Sequence, residues 1–74
     1  MKGKLKDFLW QKESNWDGYT VTDRTNGKEL FVTNEGNGKY SIEGIMTTNP
    51  YGQEIPKKFN KFEIMDYLYD MREV

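Results

Sequence analysis

The chain contains no cysteine, no histidine and no alanine. Without cysteine there is no disulfide framework and no thiolate zinc site. Without histidine there is no imidazole to shuttle protons near neutral pH. Long apolar runs are missing too, and nothing approaches the roughly 18 residues of a membrane span. No sign of charge dominates: 11 Lys and Arg face 12 Asp and Glu, for a net charge of −1. That balance argues against a general nucleic-acid binder, which would be strongly basic. The opening Met1-Lys2-Gly3-Lys4-Leu5-Lys6 has the charge of a signal-peptide start, but Asp7, Gln11, Lys12 and Glu13 interrupt any apolar stretch after it. The expectation is a soluble, cytoplasmic protein with no cofactor and no membrane partner, in keeping with the reducing compartment that a cysteine-free chain suits.

Aromatic residues are what the chain does have, at 15% of 74 residues. A chain of this length forms one small domain, 1–74, and buries only about 60% of its unfolded surface. Each large ring buries on the order of 150–250 Å² when packed, so Phe8, Trp10, Trp16, Tyr19, Tyr40, Phe59, Phe62 and Tyr69 are the core candidates. Abundant aromatics and a small net charge also argue against disorder. Residues with AT-rich codons (Lys, Asn, Ile, Tyr, Phe) are common, Ala is missing and Arg and Pro are scarce, which points to an AT-rich genome such as those of many low-GC bacteria and their phages.

Three regions differ in texture. In residues 3–13, Leu5, Phe8, Leu9 and Lys12 recur at helical spacing, which predicts a short N-terminal helix stopped by Ser14-Asn15 and Asp17-Gly18. Residues 18–47 read as strands. Asn26-Gly27 is the strongest short hairpin signal, since a type I′ turn needs positive φ at both central residues. A two-residue loop there sets Thr25 opposite Lys28, Arg24 opposite Glu29 and Val21 opposite Val32. Tyr19, Val21, Leu30 and Val32 then share an apolar face, and Thr20, Thr22, Arg24, Glu29, Phe31 and Thr33 a polar one. Asn34 to Gly38 is a second turn whose glycines permit a three-residue loop with a left-handed residue. Tyr40, Ile42 and Met46 alternate along the next strand, where Gly44 marks a bulge or a close approach. Asn49-Pro50-Tyr51-Gly52 carries a type I turn signature, and a short fourth strand from about Gln53 to Lys57 would be held to the edge by Pro56.

Near the end, Asn60 and Glu63 form a capping box, with Phe59 and Ile64 as its hydrophobic staple. A helix over about 61–72 follows, with Ile64, Leu68 and Met71 on one stripe and Met65 and Tyr69 beside it. The predicted fold is therefore α+β: a three- to four-stranded antiparallel β-meander with a short N-terminal helix and a C-terminal helix packed on the sheet. The order helix, strands, helix is similar to that of double-stranded-RNA-binding domains, in element order and length alone. Lys57, Lys58 and Lys61 fall roughly where those domains present basic residues to phosphates, although Glu63, Asp66 and Asp70 follow directly.

Catalytic groups are scarce. Ser14 and Ser41 have no histidine to activate them, and Lys39, two residues from Ser41, is the one other base in strand reach. Gly36-Asn37-Gly38 begins like a phosphate-binding GxGxxG loop but lacks its third glycine and a following helix. The reading is a protein without enzymatic activity.

Surfaces remain. Glu63, Asp66, Asp70 and Glu73 fall within about an 80° arc of the last helix, with no Lys or Arg at i+4 of the first three. Phe31 stands on the polar side of the sheet, with Ile45 as its neighbour or with the first helix over both. Trp10 and Trp16 flank the end of that helix, and at least one belongs to the core. The candidate partner-binding set is Glu63, Asp66, Asp70 and Glu73 with Phe31 and Tyr67. It suits a small protein-interaction module, of phage or mobile-element type, that inhibits or redirects a larger host protein with a basic surface, such as a nucleic-acid enzyme or a defence nuclease. The alternative is a small nucleic-acid-binding module using two lysine clusters, Lys2, Lys4 and Lys6 and then Lys57, Lys58 and Lys61, together with aromatics. A homodimer formed through an edge strand is the remaining option.

Overall fold

The computed structural model describes residues 3–73, with the side chain of Glu73 outside what is described. Its architecture is α+β: five antiparallel strands in the order β1-β2-β3-β4-β5, then one C-terminal helix. The strands are β1 (Phe8–Lys12), β2 (Gly18–Asp23), β3 (Glu29–Gly36), β4 (Lys39–Thr48) and β5 (Glu54–Asn60), and α1 is Lys61–Asp70. Each strand pairs with the next in sequence, so the sheet is a meander. Among the described residues no helix is long and apolar enough to cross a membrane.

The N-terminal helix expected over residues 3–13 is not formed. A single 3-10 turn, Leu5–Asp7, leads into β1, which pairs with β2 from Phe8↔Asp23 to Lys12↔Tyr19. The helical spacing of Leu5, Phe8 and Leu9 was real but short, and isolated helices below about 12 residues are marginal. Pairing offers β1 a ladder and lets Phe8 and Trp10, two apart, face the core, while Leu5 stays 58% exposed. With β1 in that helix's place, the resemblance to double-stranded-RNA-binding domains lapses.

The two Asn-Gly turns both depart from the loops their sequences suggested. The β2–β3 register sets Val21 opposite Leu30 and Tyr19 opposite Val32, two residues away from the expected pairing with every side chain on its expected face. The loop is therefore longer than two residues. Asp23 N–H donates to the Lys28 carbonyl at 2.8 Å, and Gly27 N–H donates to the Asp23 carbonyl at 2.8 Å. Gly27 has φ +75°, but the one non-glycine with positive φ among the described residues is Asn37, so Asn26 excludes a type I′ turn there. The type I′ turn forms instead at Asn37-Gly38, with φ of 54° and 73°, closing Gly36 against Lys39 in a two-residue loop. A three-residue loop ending in a left-handed glycine does occur, at Pro50-Tyr51-Gly52. There Asn49 N–H donates to the Gln53 carbonyl at 2.9 Å and Gly52 has φ +82°.

The C-terminal helix follows its expected signals. Glu63 N–H donates to Asn60 Oδ1 at 2.8 Å, and Asn60 N–H donates to Glu63 Oε1 at 2.9 Å. Ile64, Met65 and Leu68 are fully buried against Phe8, Val21, Val32, Ile42 and Phe59 on the apolar face of the sheet. Phe62 departs from the core list and is 54% exposed.

Past α1, a 3-10 turn over Met71–Glu73 carries Arg72 back onto the sheet. Arg72 donates from Nε to Asp23 Oδ2 at 2.6 Å and from Nη2 to Asp23 Oδ1 at 2.9 Å. Its guanidinium lies 4.5 Å from the Tyr69 ring centre and 5.7 Å from that of Phe8. Asp23, completely buried, also accepts from the Thr25 N–H and hydroxyl. The Arg72 hydrogen bonds hold its carboxyl at about 2, against an ordinary value of 3.8; burial opposes this and the Thr25 bonds reinforce it.

At the other end of the same face, Trp10, Tyr19 and Tyr40 meet with ring centres 5.1–5.9 Å apart. Trp10 and Tyr40 stand on β1 and β4, three strand spacings or about 14 Å apart on a flat sheet, so the sheet curls strongly around its apolar side.

Candidate functional site

The open face of the sheet, opposite α1, carries a concavity. It begins with an irregularity in β4. The β4–β5 ladder pairs Ser41 with Lys58 and next pairs Met46 with Pro56, so residues 42–45 stand opposite Lys57 alone. Gly44, with φ +86°, supplies the backbone turn this bulge needs. Beyond it the β3–β4 ladder has already ended at Val32↔Ile42. The outer half of β4 and its partner β5 thus form an arm that leaves β3, tipped by Pro50-Tyr51-Gly52.

Between this arm and β3 lies an open groove of about 630 Å³. Its lining includes Trp16 ahead of β2, Phe31 and Thr33 of β3, Ser41, Ile42, Gly44 and Met46 of β4 and Pro56 of β5. The volume falls within the range of about 300–1,000 Å³ common for ligand sites. Phe31 is 59% exposed and Met46 45%. Trp16 is held by the backbone it covers. A Cβ on Gly18 would fall 1.8 Å from Trp16 Cζ3 and 2.3 Å from the Val32 carbonyl oxygen, so the ring takes the space a side chain there would need.

Two glutamates, Glu35 and Glu43, are the charged side chains lining the groove. Glu35 sits at the β-bulge between Asn34 and Gly36 and accepts a 2.5 Å hydrogen bond from Ser41 Oγ. Glu43 is exposed on the β4 bulge and has no ion pair among the described residues. Lys58, opposite Ser41 in the ladder, and Lys57, opposite the bulge, do not line the groove. A second buried hydroxyl on this face, Thr20 Oγ1, donates to Glu13 at 2.6 Å. Ser41 thus engages the Glu35 carboxylate rather than the Lys39 suggested by spacing.

The residues singled out from the sequence are dispersed. Phe31 lines the groove, as does Trp16, whereas Trp10 belongs to the curled interior and only Trp10 packs against the core. Ile45 does not join Phe31 in the groove; it packs against the core, and Met46 lines the groove with Phe31. Glu63 is exposed but bound into the helix cap, Asp66 is half-buried, and both Asp66 and Asp70 interact with neighbouring groups. Glu73 was the fourth member of that acidic row, and its side chain lies outside the described residues. Tyr67 leans on Phe59, ring centres 6.3 Å apart, at the β5 side of α1. The helix residues and Phe31 therefore lie on opposite sides of the sheet and form no common surface. Of the two lysine clusters, Lys4 and Lys6 precede β1 and Lys57 and Lys58 sit in β5, the first and last strands of the sheet, while Lys2 lies outside the described residues. Lys61 turns its ammonium 5.1 Å from the Trp10 ring.

Among the described residues no group of three or more acidic side chains is arranged to hold a metal ion. In comparisons with known proteins, no family model, no curated protein and no solved structure matches the chain.

Proposed function

We propose that this is a small non-catalytic binding module that grips a segment of a larger protein in the groove between β3 and the β4–β5 arm. The observation that carries the reading is the lining of half-buried Trp16 with exposed Phe31, Met46 and Pro56 around a space of about 630 Å³. Aromatic residues and methionine are enriched at the centres of protein interfaces, and an apolar concavity rimmed by polar groups is where a partner's side chain anchors. The reading keeps the partner expected from the sequence, a larger protein with basic character, and moves the contact from the acidic row of α1 to the opposite side of the sheet. Inhibition or redirection of a host enzyme by a phage-type accessory protein is one biological setting for such a module.

The two surfaces are separable by affinity capture with three baits: the unaltered protein, Phe31→Ala with Met46→Ala, and Asp66→Lys with Asp70→Lys. A partner retained by the helix variant and lost by the groove variant supports the reading. Loss with the helix variant alone returns the contact to α1, and equal retention by all three rejects both.

A further inference from the structure

We propose that the groove recognises an arginine side chain flanked by apolar residues in an extended segment of the partner. This rests on the groove being the docking site and specifies the chemistry it selects.

Charge complementarity carries the argument. Glu35 and Glu43 are the charged side chains of the lining, and both are anionic. Ser41 takes one hydrogen bond of Glu35, at Oε2, which leaves its other oxygen to accept. Two aromatic side chains, Trp16 and Phe31, share the lining with the carboxylates. A planar guanidinium answers both features at once: it stacks on a ring face and donates two parallel hydrogen bonds to a carboxylate. An ammonium carries the charge but neither the plane nor the fork.

The protein already contains this chemistry in occupied form. Arg72 forks onto Asp23 at 2.6 and 2.9 Å, with Asp7 at 3.6 Å, while its guanidinium covers Tyr69 at 4.5 Å and Phe8 at 5.7 Å. Two carboxylates and two aromatic rings surround one guanidinium. The groove presents the same inventory, Glu35, Glu43, Trp16 and Phe31, with no arginine of this chain among its lining residues. The apolar remainder, Ile42, Met46 and Pro56, accommodates the residues on either side of the arginine.

The test is a titration of 15N-labelled protein with three N-acetylated, C-amidated tripeptides: Leu-Arg-Leu, Leu-Lys-Leu and Leu-norleucine-Leu. The arginine peptide is expected to shift the amides of Thr33, Glu43 and Gly44 saturably, and to bind about fivefold tighter than the norleucine peptide, as one part-exposed charge pair allows. Glu43→Gln, an exposed substitution that leaves the fold in place, is expected to reduce that preference about threefold. Equal binding of the arginine and norleucine peptides at the groove overturns the arginine proposal and leaves the docking site standing. A lysine peptide that binds as tightly as the arginine peptide, or a preference untouched by Glu43→Gln, also overturns it. No shift of the groove amides with any peptide removes the docking site as well.

Discussion

Arg72 and Asp23, 49 residues apart in sequence, are joined by two hydrogen bonds at a point where the carboxylate has no access to solvent. The pair ties the segment after α1 to the end of β2, so the helix is fastened to the sheet by a charged fork as well as by its apolar side. Removing one partner leaves a buried charge without its counter-ion, which is the costly way to break such a pair. Arg72→Gln is expected to lower stability in urea unfolding well beyond the change of less than about 0.5 kcal/mol expected for Lys58→Gln on the exposed edge.

The same carboxylate sets an acid limb in the stability profile. Asp23 has a folded value of about 2 against 3.8 when unperturbed. A depressed carboxylate stabilises the fold above its unfolded value and loses that contribution as pH falls toward the folded one. The stabilisation, of order 1–2 kcal/mol once Arg72's partial exposure is allowed for, is complete above about pH 4 and is lost between about pH 4 and pH 2. Urea midpoints measured across that window are expected to fall in the native protein and to stay flatter in Asp23→Asn, which starts lower at pH 7.

The two Asn-Gly turns should respond differently to the same substitution. Asn37 holds φ +54°, where a β-branched side chain is strained, and Asn26 does not share that conformation. Asn37→Val is expected to cost about 1–2 kcal/mol, and Asn26→Val about 1 kcal/mol or less, through loss of its bond to the Lys28 N–H at 3.0 Å. Paired thermal melts followed by circular dichroism give the order directly.

Local signals in the sequence reached the elements whose determinants are local. Asn60 and Glu63 lie three residues apart, and the helix they cap needs nothing else to announce its start. The faces of β2 and β3 were legible for a related reason, since alternation survives a register error of two. What escaped depends on distant groups. Asn26-Gly27 and Asn37-Gly38 carry the same dipeptide, and the longer loop at the first is built on Asp23, whose carboxylate accepts from Thr25 and is itself placed by Arg72. β1 was read as helix because five residues of strand carry too little pattern to outweigh a helical spacing that overlaps them. The groove was hidden more deeply, for it needs four residues of β4 to stand opposite Lys57 and Trp16 to fold back over Gly18. Gly44 and Phe31 were the visible traces of it.

Gly18 ties the fold to the groove. A methyl group there meets the Val32 carbonyl oxygen at 2.3 Å, which is backbone and cannot step aside, as well as the Trp16 ring at 1.8 Å. Gly18→Ala is expected to cost about 2 kcal/mol or more and to displace the groove wall. A Trp16→Ala background removes the ring clash but not the carbonyl clash, so it should recover only part of the loss in a double-mutant cycle.

The placement of the two tryptophans has an optical consequence. Trp10 is enclosed on the curled side with Tyr19, Tyr40 and the Lys61 ammonium, while Trp16 borders the groove on the other side. A Trp16→Phe protein therefore emits only from the interior and tracks the docking of α1. A Trp10→Phe protein emits only from the outer wall, where quenching by a bound segment can be followed while the interior goes unobserved. One sheet thus carries two independent fluorescent reporters, one of folding and one of occupancy.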